Sequence, residues 1–278
     1  MDRLFGNPLL DLERQLNPLL VSHSDNDHHL HDAESKSWFL EELAYHCYIE
    51  LDRDTMNRLR IWSQILKNPN LGYIELGQDF AKTLIPYPPI FYSMQIQLQS
   101  SKDITWDIFK QNFADKKILF LEEEGFQFKS PEFLWYFIAK KLYREISSNN
   151  STPLEYKEFI NEIHQFLCRM LAKDKNAINI LEKWLVLPEN LPIVRNFAAF
   201  ELGMTRTKTS IRHLIQQLKS DSGQNVRSYA AMALGMIKDR KVVPELLQIF
   251  YNTRDDQVKR HLREAILYIK NVIPCPYW

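Results

Sequence analysis

A chain of 278 residues that is 45% hydrophobic and 12% aromatic can bury a sizeable core, in one large domain or two modest ones, and its 7 glycines point to a helix-dominated protein. Its 35 Lys+Arg and 35 Asp+Glu cancel overall, but residues 1–150 carry 16 cations against 22 anions (net −6) and the remainder 19 against 13 (net +6); with the cations dispersed over ordinary helical faces, this reads as two mutually attracting halves ahead of a basic surface for nucleic acid. No run approaches the roughly 18 apolar residues of a membrane span, Asp11, Glu13 and Arg14 break up an apolar leader, and three scattered cysteines, Cys47, Cys168 and Cys275, fit reduced thiols in a cytoplasmic protein.

Residues 8–21 have Leu9, Leu12, Leu16 and Leu19 or Leu20 at helical spacing. Residues 22–32 hold four of the 8 histidines in a polar loop, but their spacing matches no metal motif, so no metal and no cofactor are expected. Trp38, Phe39, Leu43, Cys47 and Leu51 make one helical stripe, and Met56, Leu59, Trp62, Ile65 and Leu66 a second that ends at Asn68-Pro69-Asn70. A helix through Tyr73, Leu76, Phe80 and Leu84 stops where Pro86-Tyr87-Pro88-Pro89 forbids regular helix, and residues 104–113 are helical again. Two short apolar runs around Glu122-Glu123-Glu124-Gly125 predict a single β-hairpin over 118–128, with the acidic triple as solvated turn charge. Ser130-Pro131 then opens a helix bearing Phe133, Leu134, Phe137, Ile138 and Leu142.

The Ser/Asn run at 147–151 is the expected boundary between a helical N-terminal domain, 1–150, and a second domain, 151–278. Thr152-Pro153-Leu154-Glu155 reads as a capping box starting a helix with Phe159, Ile163, Phe166, Leu167 and Met170, a cap or adaptor. Beyond it the chain repeats. Val194-Arg195-Asn196-Phe197-Ala198-Ala199-Phe200-Glu201-Leu202-Gly203-Met204 returns as Val226-Arg227-Ser228-Tyr229-Ala230-Ala231-Met232-Ala233-Leu234-Gly235-Met236, and faintly from Val258-Lys259. The offset, 226 − 194 = 258 − 226 = 32, marks a solenoid whose units bury their apolar faces only by stacking. Between copies, Ile211, Leu214, Ile215 and Leu218 return as Val243, Leu246, Leu247 and Phe250, so each unit is a helical hairpin; Gly235 after Leu234 suits a helix end.

The form V-R-x-x-A-A-x-A-L-G, followed by Val242 to Leu247, resembles the HEAT-like repeats best known from the bilin-lyase family of phycobilisome proteins, over roughly residues 175–270. The first copy departs from it at Phe200-Glu201, and the third at Leu262, Arg263 and Leu267, as a terminal cap would. The expected fold is all-α: a helical domain followed by a short HEAT-like α-solenoid. The resemblance implies that the V-R helices line a concave side, where Phe197, Phe200 and Met204, then Tyr229, Met232 and Met236, then His261, Glu264 and Tyr268 would form an apolar, Met-rich track for a partner's helix or extended segment. Packing of these residues against the companion helices stays open as the other reading.

Arg195, Arg227 and Lys259 stand in first helical turns, where a cation opposes the helix dipole at about 0.3–1 kcal/mol. The preceding loops carry Glu189, Asp221, and Asp255 with Asp256, so a structural ladder of loop carboxylates and helix cations is expected. Nothing of comparable strength points to catalysis: there is no phosphate-binding loop, no G-x-G-x-x-G, no H-E-x-x-H and no G-x-S-x-G. The absence of any His-Glu dipeptide removes the HEAT-like iron hydroxylases. The expected function is a non-catalytic scaffold or adaptor binding another protein in a larger assembly, with a lyase-like subunit or nucleic-acid binding as the alternatives.

Overall fold

The computed structural model describes residues 33–50, 85–86, 119–122, 125–128, 131–155, 159–188, 190–221 and 223–275. The stripes expected over 8–21, 56–66, 73–84 and 104–113, the histidine-rich loop 22–32 and Glu189 lie outside these residues. Two compact units divide the chain, Met1–Lys141 and Leu142–Trp278. Outside one small sheet every regular element described is helical, and the fold is all-α.

In the first unit, helix α1 (Ala33–Glu50) buries Leu40, Leu43, Ala44 and Tyr48. It also buries Ser37, Glu41 and Glu42. These polar groups meet cations of helix α2 (Pro131–Ser147), of which residues 131–141 belong to this unit and the rest to the second, with Lys140 Nζ donating to Ser37 at 2.6 Å and Lys141 Nζ to Glu42 at 2.7 Å. Strands β1 (Ile85–Pro86), β2 (Leu119–Glu122) and β3 (Gly125–Phe128) form an antiparallel sheet in the order β1-β3-β2. The β2–β3 hairpin pairs Leu119 with Phe128 and Glu122 with Gly125, and it places Leu119 and Phe128, buried, on one face.

The second unit holds the repeats. Thr152–Glu155 is a single 3-10 turn, not the first turn of a long helix; helix α3 (Asn161–Leu171) begins later, from an extended Ile160. Helix α4 (Lys175–Val186) is capped by Asp174, which accepts from the backbone of Asn176 and Ala177 and from Tyr143 Oη at 2.9 Å. Those donors hold its carboxyl below the usual range, the Ala177 amide first. Then follow α5 (Pro192–Met204), α6 (Ile211–Ser220), α7 (Gln224–Ile237), α8 (Val243–Asn252) and α9 (Asp256–Ile269). The V-R helices α5, α7 and α9 stack on one another in sequence, while α4, α6 and α8 pack respectively on α5, α7 and α9. Ala198, Ala199, Ala230, Ala231, Ala233 and Ala265 are fully buried, because small side chains let helix axes approach closely.

Gly203 and Gly235 lie in the last turns of α5 and α7 with no left-handed φ, so Gly235 stands near the helix end as read from the sequence but does not cap it. A Cβ on Gly203 would stand 2.6 Å from Ala233 Cα and one on Gly235 2.8 Å from Ala265 Cα. The glycines therefore set the closest approach between successive V-R helices. The chain reverses instead at Arg206, Lys238 and Asn271, residues in the left-handed region (φ 54, 58 and 57°) spaced 32 and 33 apart. Replacing Gly203 by alanine raises helix propensity by about 1 kcal/mol but inserts a methyl against backbone. A net loss of about 1–3 kcal/mol is expected by urea denaturation, and a gain in stability would show that α5 and α7 separate at no cost.

Candidate functional site

The faces of α5, α7 and α9 divide the expected track into two parts. Met204 and Met236 are 1% and 0% exposed, and with Tyr268, Phe200 and Cys168 they form a closed apolar cluster. Two residues from after α9 complete it: Cys275 belongs to the cluster, and Ile273 packs against it. Met204, Met236 and Tyr268 are therefore core. Tyr229 and Met232 are only half-buried at the edge of this cluster. His261 is half-buried on α9, where burial pushes its pKa down against the opposing pull of Glu264.

Beside the cluster lies a cavity of about 230 Å³. Phe197 and Phe200 of α5 and Tyr229 and Met232 of α7 line it, one period apart, together with Leu154 of the 3-10 turn, Phe159 and residues of α3. Its aromatic rings meet edge to face: Phe159 and Phe197 at 6.3 Å and 71°, Phe200 and Tyr229 at 6.2 Å and 84°. His164 of α3 joins them, its ring 4.7 Å from that of Phe200.

His164 is also one half of a buried polar pair that sequence reasoning missed. Its Nδ1 meets Oε1 of Glu201, a carboxyl with no solvent exposure whose Oε2 has no hydrogen-bond partner among the described residues. Burial pushes the Glu201 pKa up, and His164 pulls it part of the way back. Glu201 occupies the repeat position held one period later by Ala233, which faces Gly203 of the preceding V-R helix. At the same position in the first copy the preceding helix is α3, which packs on α5 through a His–Glu pair in place of small residues. Cys168, in the same region, has its thiol pushed up to about 12, by burial first and Glu201 second, which leaves it un-ionised and a poor nucleophile.

At the other end of the V-R helices stands the ladder. Arg195 Nη1 donates to the backbone oxygens of Pro188 (3.0 Å) and Asn190 (2.7 Å), and Nη2 donates to Asp221 Oδ1 (3.2 Å). Its Nε is 3.1 Å from Asp221 Oδ2 but is not aligned for a hydrogen bond. Arg227 repeats the arrangement, taking the backbone oxygen of Asp221 at 2.6 Å and Asp255 Oδ2 at 2.8 Å. Each arginine thus reaches the aspartate of the next repeat's loop, and Arg227 meets Asp221 of the loop before it at the backbone oxygen and not at the carboxylate. Asp255 also caps α9 by accepting from Gln257 and Val258, and Gln224, the Val258 amide and Arg227 hold its carboxyl below the usual range. Lys259 makes no ion pair among the described residues; Asp256 lies in the first turn of α9.

Stacked two-helix units at a 32-residue period, with an arginine–aspartate ladder linking successive loops, are the geometry of a helical solenoid. Residues 178–266 match the family of HEAT repeats. No curated protein matches the chain. The HEAT repeats run from α4 into α9, so the cavity is built where the first of them meets the 3-10 turn and α3 outside the matched range. Among the described residues no group of three or more His, Cys, Asp and Glu could hold a metal ion, and no helix is long and apolar enough to cross a membrane.

Proposed function

We propose that the HEAT-like unit is a non-catalytic protein-interaction module, a scaffold or adaptor within a cytoplasmic multi-protein assembly, which takes a helix or extended segment of its partner against α5 and α7. The observation that carries this reading is the cavity between Phe197, Phe200, Tyr229 and Met232, an apolar recess assembled from equivalent positions of successive repeats. HEAT repeats are common protein-binding scaffolds, which favours the same conclusion. A lyase role drawn from the bilin-lyase likeness is the weaker reading. Sites that enclose drug-sized or larger ligands run to about 300–1,000 Å³, and this recess is smaller. Nucleic acid is the less favoured ligand, because no described residue on the wall of the recess is Lys or Arg.

Tyr229→Ala and Met232→Ala test the proposal. Both side chains are half-buried, so the cost in stability should stay below the about 2–5 kcal/mol of a truncated core residue. A partner identified by affinity capture from the native host and then purified should bind each variant at least about tenfold more weakly, a loss of about 1.4 kcal/mol. Full destabilisation with binding retained by the folded fraction would mean that the two residues are packing alone.

A further inference from the structure

We propose that the cavity is an anchor pocket for one bulky, uncharged side chain that carries a hydrogen-bond donor, the chemistry of a tryptophan in a partner protein's segment. The proposal rests on the protein-binding reading above and adds what the pocket selects. Four features of the cavity lead to it.

The first is size. At about 230 Å³ the recess suits a single large side chain rather than a nucleotide or a tetrapyrrole. The second is the wall. Phe159 stands edge-on to Phe197, and Phe200 to Tyr229, so a further flat ring entering between them finds edge-to-face partners, while the unbranched Met232 adjusts to its outline.

The third is charge. Among the described residues that line the cavity there is no Asp, Glu, Lys or Arg. A charged anchor would give up its hydration without meeting an opposite charge on any of these residues, which favours a neutral occupant.

The fourth is the polarity of the inner wall. His164 is more than nine-tenths buried and lines the cavity, with Nδ1 committed to Glu201. When Nδ1–H donates to the carboxylate, Nε2 is the acceptor of the ring, and no described residue donates to it. Asn196 lines the same wall, and its Oδ1 is shut off from solvent without a hydrogen-bond partner among the described residues. A turn of its carboxamide presents that oxygen to the cavity. Asn161, a further polar residue of the lining, is exposed and reaches water, and Tyr229 brings its hydroxyl at the half-buried edge. With Glu201 ionised, His164 Nε2 is an acceptor without a described donor, and the turned Asn196 carboxamide adds a second; an indole, with a large flat body and a single N–H, fills the recess and gives that N–H to the Asn196 oxygen. Phenylalanine fills the space but leaves the acceptors unpaired.

The experiment titrates the full chain, by ligand-observed nuclear magnetic resonance, with N-acetyl-tryptophanamide, its 1-methylindole analogue, N-acetyl-phenylalaninamide and N-acetyl-lysinamide. The expected result is saturable binding of the tryptophan probe, at least about tenfold weaker binding of the 1-methyl and phenylalanine probes, and none of the lysine probe. Asn196→Leu should remove the preference for the free indole N–H over its methylated form while the melting temperature confirms folding. Met232→Trp, which fills the cavity from within, should abolish binding of every probe. Equal affinity for the tryptophan and 1-methyl probes, or tighter binding of the lysine probe, overturns the proposal. If purified partner still depends on Tyr229 and Met232 in that case, the protein-binding reading survives without this anchor. If the indole preference appears but partner binding ignores both residues, the anchor chemistry stands and that reading falls.

Discussion

Arg195→Ala is expected to lower stability by about 3–5 kcal/mol, the cost of breaking a buried ion pair by removing one partner. Arg195 is 6% exposed although it stands in a first helical turn, where a cation gains nothing from the dipole. What holds it there is a set of three hydrogen bonds that ties two loops together, to Pro188 and Asn190 on its own side and to Asp221 of the next repeat. The truncation leaves Asp221 with the Gly223 amide and strips two loop carbonyls of their donor. Lysine cannot repair this, since an ammonium on a flexible stem cannot fork to three acceptors in two directions. Arg227 makes the same kind of bonds with its side chain 22% exposed, so its replacement by alanine should cost about 1–3 kcal/mol. Urea denaturation of the two variants decides the matter, and equal losses would mean that burial is not what gives the ladder its strength.

The helical hairpins were legible because stacking imposes a period, and a period is visible in one sequence: Val194 and Val226, Ile211 and Val243 all recur at 32. What was not legible depended on partners far along the chain. A glycine after leucine looks the same whether it ends a helix or admits a neighbour; Gly235 does the second because Ala265 lies against it, 30 residues on. The ladder's direction is hidden for a related reason. Arg227 follows Asp221 by 6 residues and precedes Asp255 by 28, and only the stacking of units brings the distant carboxylate to the guanidinium. Within the track, Met232 and Met236 are one helical turn apart and read alike, yet Ile273 and Cys275 pack in from a segment with no repeat signature. The Thr152 capping box offered a local signal for a helix, and the chain spends it on one 3-10 turn before restarting at Asn161. Glu201 did leave a trace, as a break in the alanine pattern. Its partner could not be named, because His164 stands 37 residues upstream in a helix outside the repeat.

Glu201→Ala restores the side chain that the next repeat carries at this position, Ala233, and is nevertheless expected to cost about 3–5 kcal/mol. The variant leaves the Nδ1 of His164 buried without its acceptor and opens a void between α3 and α5, and neither deficit is offset by the better match to the repeat. Glu201→Gln keeps the volume and removes the ionisation, so comparing it with the native protein across pH isolates the carboxyl. The folded-state pKa of Glu201 is raised above its ordinary value of 4.5, chiefly by burial. A raised carboxyl favours folding while both states are protonated, and that contribution is lost as the pH climbs from the unfolded pKa through the folded one. The stability of the native protein minus that of Glu201→Gln should therefore be largest below the ordinary carboxyl pKa of 4.5 and shrink as the pH rises above it, measured from urea midpoints at each pH. A difference that grows with pH instead would mean that Glu201 is held ionised in the folded protein, and that α3 is fastened to the first repeat by the carboxylate and not by the neutral carboxyl.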